Sequence, residues 1–134
     1  LNLDHEDLLL TADTVVVIGT RILPKTSERE VAAQYLSMLS GKRHKVYTAM
    51  CLKRENSYKV YVEKTVIKMR NLSESEIKKY LDTDEWVEKA GGYSIQGRAV
   101  SFFPFISGCF SNVIGLPLPK LLDILKGMDF KNIG

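Results

Sequence analysis

This chain has little of the chemistry that usually announces a function. Its two cysteines, Cys51 and Cys109, stand far apart without a Cys-x-x-Cys or metal-ligand spacing, which argues against a disulfide scaffold or a thiolate zinc site. Both thiols are expected to be small core residues. The two histidines, His5 and His44, are too few and too poorly placed for a histidine metal site, and a serine hydrolase would lack a base. There is no Walker loop, no Gly-x-Gly-x-x-Gly after a strand, no Gly-x-Ser-x-Gly elbow and no His-Glu-x-x-His. Without a signal-peptide pattern or a long apolar span, the expected home is a reducing cytoplasm, with no membrane partner. Neither sign of charge dominates: a net charge of +3 suits an anionic ligand but falls short of the footprint of a dedicated nucleic-acid binder. A basic run, Lys42 to Lys45, with Tyr47, Tyr58 and Tyr61 nearby, therefore gives only a weak nucleic-acid reading, and no stable nucleic-acid complex is expected.

What is present is enough apolar material for one genuine core: 134 residues, 45% of them hydrophobic. A single compact domain over residues 1–134, α/β or α+β, is the expectation. The chain starts at Leu1 rather than Met, and its first seven residues resemble the polar end of a segment already under way, so a fragment of a longer domain is expected.

The stretch Ala12 to Lys25 carries the most pointed chemistry. Asp13 interrupts an apolar, β-branched-rich run between Leu8 and Ile18, where a buried carboxylate would need a metal ion, a lysine or a water to compensate it. A hairpin turn at Gly19-Thr20 returns the chain toward Lys25, a candidate partner; the alternative is that Asp13 only caps a neighbouring loop. Ser27 and Glu30 form a capping-box pattern before a helix with Val31, Tyr35, Met38 and Leu39 at helical spacing, ending at Ser40-Gly41. The basic run that follows reads as a solvated turn.

Two strands, Val46–Leu52 and Tyr58–Met69, should pair antiparallel across a polar link, with a bulge near Lys64 where the alternation of Val60, Val62, Thr65 and Ile67 slips. Ser73 and Glu76 make a second capping box, for a helix facing Ile77, Tyr80 and Leu81 inward, and Trp86 anchors the turn beyond it. Gly91, Gly92 and Gly97 then fall within seven residues, which implies positive backbone dihedrals or close approach, in the kind of loop that carries function. Here Gln96 is able to read a base edge and Lys89 to touch phosphate; a tight turn with a satisfied amide is the plainer reading. A strand from Ala99 to Ile106, a loop around Ser111 and Asn112, and a helix from about Pro117 to Lys126 burying Leu121, Leu122 and Leu125 complete the chain. Asp13, Thr14, Lys25, Lys89 and Gln96 together suit phosphoanhydride chemistry: a carboxylate to activate water or help hold Mg²⁺, lysines for the phosphates, polar groups for the base.

At these residues the chain resembles the Maf family of nucleoside triphosphate pyrophosphatases, in particular the branch acting on dTTP and UTP. The resemblance lies in Ala12-Asp13-Thr14-Val15-Val16, Ile22-Leu23-Pro24-Lys25, Leu39-Ser40-Gly41-Lys42-Arg43-His44-Lys45-Val46, Lys89 through Gly97, and Ser111 through Leu118, in family order. It implies that Asp13 is the proton acceptor and a metal contact, that Lys25 meets the triphosphate, and that Thr14 and Gln96 tune substrate choice. It further implies Mg²⁺ or Mn²⁺ as cofactor and a nucleoside triphosphate substrate cut to monophosphate and pyrophosphate. The implied fold is α/β, a Maf-like (ITPase-like) single domain with an elongated, strongly bent mixed sheet flanked by helices, often a homodimer. The family's opening Ser-x-Ser-Pro-Arg-Arg-like phosphate loop has no counterpart among the twelve residues before Asp13. The alternative is therefore a catalytically incomplete remnant that binds nucleotides or a protein partner without turnover.

Overall fold

The computed structural model describes residues 8–108 and 118–127. Its frame is a long antiparallel ladder. The β-branched run from Leu9 to Ile18 forms strand β1, turns at Gly19-Thr20 and returns as the two-residue β2, Arg21–Ile22. Gly19 takes a left-handed φ of +59°, which suits glycine at a tight hairpin turn. Helix α1, Arg29–Leu39, leads into β3, Arg43–Arg54, and a tight turn joins β3 to β4, Ser57–Lys68. Helix α2, Glu74–Leu81, two short 3₁₀ turns at Ala90–Gly92 and Arg98–Phe102, strand β5, Phe105–Ser107, and helix α3, Leu118–Gly127, follow. The sheet order is β2-β1-β3-β4-β5. The α/β class expected from the sequence holds, but every described strand pair is antiparallel, where the family resemblance implied a mixed sheet.

Side chains alternate across a strand, so the register sorts the sheet into two faces. Val16 of β1, Val46, Thr48, Met50 and Leu52 of β3, and Thr65 and Ile67 of β4 point to one face and are buried. Over one end of that face lie α1, α2 and the glycine-rich segment, packing Leu23, Leu36, Leu39, Leu81 and Trp86 with Val16 and Ile67. Over the other end lies α3, whose Leu121 and Leu125 meet Met50 and Leu52. Leu122, expected in that buried stripe, is 37% exposed.

Several local expectations are corrected. Ser27 does not cap α1: the cap position is Glu28, with no side-chain bond, because the Ser27 hydroxyl donates to the carboxylate of Glu88 instead. The α1 stripe is Ala32, Tyr35, Leu36 and Leu39, with Val31 and Met38 at its margin. No bulge interrupts β4, whose register with β3 runs unbroken from Arg43↔Lys68 to Arg54↔Ser57. The phase slip is resolved by leaving Val60 and Val62 on the open face, 62% and 56% exposed. The basic run is no solvated turn; Arg43 opens β3, and His44 is buried. Residues 98–102 coil into a 3₁₀ turn, so of the expected Ala99–Ile106 strand only Phe105 and Ile106 are in one, the short β5 that ends at Ser107. Cys51 is half-buried on the open face, across from Val60, rather than in the core. Cys109 and the loop around Ser111 and Asn112 lie outside the described residues.

Other expectations stand. Ser73 and Glu76 make both bonds of a capping box on α2, 3.1 and 3.2 Å long. Trp86 is buried with its indole N–H on the Leu81 carbonyl at 2.8 Å. Gly41 closes α1 at φ +72°.

Candidate active site

A cleft of about 270 Å³ opens where β1, the segment after β2 and the glycine-rich segment meet. Each wall is set by a buried residue next to an exposed polar one. On the first wall, the Leu23 amide donates to the Val16 carbonyl at 2.8 Å and the Leu23 side chain is fully buried, which pins the chain beside β1. Pro24 follows, and Lys25 emerges exposed into the cleft.

On the opposite wall the glycines earn their place. Gly91 has φ +75°, and a Cβ there would stand 2.9 Å from Val16 Cγ1, so only glycine lets this segment reach β1. Gly92, at φ +78°, lies against the backbone of Ala32 in α1. Gly97 has an ordinary negative φ, and a Cβ there would meet the tip of the Glu85 side chain at 2.1 Å, which would have to move aside. Between these glycines Tyr93 and Ile95 plug into the core, the Ser94 amide donates to the Tyr80 hydroxyl at 2.9 Å, and Gln96 is left exposed in the cleft.

Tyr93 is the deepest anchor. Its hydroxyl meets His44 Nε2 at 2.7 Å, and its ring lies 5.6 Å from the imidazole, edge to face. Burial pushes the Tyr93 hydroxyl pKa up, and holds His44 down at about 4, so both are neutral near pH 7. Burial likewise raises Tyr80 to about 12, keeping its hydroxyl protonated beside Ser94.

The floor comes from β1. Thr14 Oγ1 lies 2.9 Å from Thr48 Oγ1, and the Asp13 carboxylate accepts from the Thr14 amide at 3.0 Å. Asp13 is exposed, which corrects the expectation of a buried charge needing a partner. Among the described residues no ion pair joins it to Lys25; both are among the residues that line the cleft.

All five residues singled out from the sequence, Asp13, Thr14, Lys25, Lys89 and Gln96, thus line one cleft. Sequence reasoning passed over Glu88, a second carboxylate in the same cleft. Its only sequence signal was its place directly before Lys89 at the start of the glycine cluster. No group of three or more potential metal ligands occurs among the described residues, so an all-protein metal cage is not present there. The arrangement offers two exposed ammonium groups for an anion, an exposed carboxylate for a proton or a hard cation, and an amide with both donor and acceptor capacity.

Compared with known proteins, residues 1–128 match the family model described as Maf-like protein. The chain belongs to the Maf-like family. Among its curated relatives, the nucleoside triphosphate pyrophosphatase of Rickettsia canadensis is 41% identical over 133 residues, covering 96% of this chain and 66% of the relative. That of Rickettsia typhi is also 41% identical, with 59% of its length covered. The dTTP/UTP pyrophosphatase of Nitrobacter winogradskyi is 45% identical over 135 residues, 97% of this chain and 65% of the relative. The Maf-like chain therefore spans a little under two thirds of the length of these relatives. No described helix is long and apolar enough to cross a membrane.

Proposed function

We propose that residues 1–134 act as a single Maf-like domain that hydrolyses a nucleoside triphosphate, of the dTTP/UTP kind, to the monophosphate and pyrophosphate. The observation that carries this reading is the convergence of Asp13, Thr14, Lys25, Lys89 and Gln96 on one cleft from distant parts of the chain. The names of the relatives, nucleoside triphosphate pyrophosphatase and dTTP/UTP pyrophosphatase, support it.

In this reading water attacks the α-phosphorus. The new P–O bond forms as the bond from that phosphorus to the α–β bridging oxygen breaks, and pyrophosphate departs with the electron pair. Asp13, an exposed residue among those lining the cleft, takes the proton of the attacking water. Lys25 and Lys89 draw the phosphates in and offset the charge on the leaving pyrophosphate. Gln96 reads the base through its amide donors and acceptor, and Thr14, which lines the same cleft, helps set the choice of base.

The donor set fits a substrate-shared Mg²⁺ or Mn²⁺. Mg²⁺ is usually held by one or two carboxylates plus substrate phosphates, and Asp13 supplies a carboxylate of that kind in this cleft. When bound, the ion neutralises charge on the phosphate oxygens.

The test is pyrophosphate release from dTTP, UTP and CTP with Mg²⁺ or Mn²⁺. The unaltered chain is expected to turn over, and Asp13→Asn to lose about 10²- to 10⁴-fold in rate. Undiminished turnover in Asp13→Asn would remove the role given to Asp13. Saturable nucleotide binding with no product would favour a binding module instead.

A further inference from the structure

Lys25 and Lys89 lie on two separate segments, and three hydrogen bonds stitch those segments together around them. The Gly91 amide donates to the Leu23 carbonyl at 3.0 Å, and the Glu88 amide donates to the Thr26 carbonyl at 3.0 Å. The Ser27 hydroxyl donates to the Glu88 carboxylate. Lys25 is bracketed by Leu23 and Thr26, and Lys89 by Glu88 and Gly91. The stitching has a conformational cost: Glu88 sits at φ +57°, a left-handed conformation that non-glycine residues rarely adopt. That twist is what aims its amide at Thr26 while its carboxylate meets Ser27. A second brace keeps the Ser27 side in shape, since the Glu28 amide donates to Thr26 Oγ1 at 3.0 Å.

We propose that Ser27 and Glu88 form a latch that sets the separation of Lys25 and Lys89, so that the two ammonium groups act on one polyphosphate as a matched pair. Glu88 is then a positioning residue rather than a group acting on the substrate. The latch explains why a serine three residues before Glu30, in a good capping-box pattern, leaves the helix uncapped: its hydroxyl is committed across the cleft wall. The inference rests on the reading of the cleft as a phosphate site.

The experiment measures binding of inorganic tripolyphosphate by calorimetry on the whole chain, using variants compared at equal charge. Ser27→Ala, against the unaltered chain, is expected to bind about three- to tenfold more weakly. Glu88→Gly keeps the left-handed backbone and its amide but removes the acceptor, whereas Glu88→Gln keeps an acceptor for Ser27; Gln is expected to bind about threefold more tightly than Gly. That advantage should vanish when Ser27→Ala is added to both. If Ser27→Ala binds like the unaltered chain and Gly equals Gln, while Lys25→Ala and Lys89→Ala still weaken binding, the latch is overturned and the phosphate site stands. If the unaltered chain and the two lysine variants alike bind no tripolyphosphate, the phosphate site falls and the latch with it.

Discussion

The two ends of the sheet's covered face are built differently. At the cleft end α1, α2 and the glycine-rich segment bury Leu23, Leu36, Leu39, Trp86, Tyr93 and Ile95 against Val16, Val46 and Ile67. At the hairpin end a single helix, α3, contributes Leu121 and Leu125 to Met50 and Leu52, and Val60, Val62 and Tyr58 stay exposed on the reverse side. The thick end is where the candidate site sits. Its exposed polar residues each have a buried neighbour close in sequence: Leu23 before Lys25, Gly91 after Lys89, Ile95 before Gln96. Positions that must hold a fixed geometry are thus attached to the part of the molecule that is hardest to deform.

The comparison is broken most forcefully by making one equivalent cavity at each end. Leu39→Ala, at a fully buried position among α1, α2 and the sheet, is expected to cost about 3–5 kcal/mol, and Leu125→Ala, slightly exposed in the smaller cluster, about 2 kcal/mol or less. Urea denaturation of both variants checks this. Equal losses would mean that the two ends are equally packed.

Acid should loosen the thick end first. His44 titrates near 4 in the folded chain against 6.5 when free, so the unfolded state takes up a proton that the folded state refuses. Stability is therefore full above about pH 6.5 and falls as pH drops toward 4, by roughly 3 kcal/mol in all. Glu76, held down at about 2 mainly by its hydrogen bond from Arg70, loses its contribution only below its usual range, in a lower window. Thermal unfolding between pH 7 and 4.5 should show the slope, and His44→Gln should flatten it. A flat profile in the unaltered chain would contradict the buried neutral His44–Tyr93 pair.

A smaller effect separates backbone from packing within the cleft wall. Gly91→Ala places a Cβ 2.9 Å from Val16 Cγ1 at a positive φ, and is expected to cost about 2 kcal/mol. It should also weaken tripolyphosphate binding by displacing Lys89. Gly19→Ala has the same sign of φ but open space around it, so it should lose only about 1 kcal/mol and leave binding unchanged.

What was legible in the sequence was local or repeated. The β1–β2 turn, the β3–β4 pair, the Ser73–Glu76 box and the Trp86 anchor each depend on residues a few positions apart. The five candidate residues could be picked out as a set because they fall in motifs, and all five line one cleft. What was not legible depends on partners far along the chain. Ser27 reads as a helix cap until Glu88, 61 positions away, takes its hydroxyl. His44 reads as part of a wet basic turn until Tyr93, 49 positions away, buries it. The alternation of Val60, Val62, Thr65 and Ile67 slips only if all four share a face; the unbroken register keeps β4 regular and leaves the two valines on the open side.

Those two valines give the finest test of the comparison. Val62 lies opposite Ala49, which in turn lies opposite Asp13, so the open face runs from the hairpin end to the edge of the candidate site. Val62→Thr keeps the β-branched shape that suits a strand and exchanges a methyl for a hydroxyl at a position 56% exposed. If that face is open to water, stability should change by less than about 0.5 kcal/mol. A loss several times larger in the same urea experiment would mean that something covers the valines in solution, and a dependence of that loss on protein concentration would identify the cover as a second copy of the chain. The thin end of the sheet would then be thin only in the isolated chain.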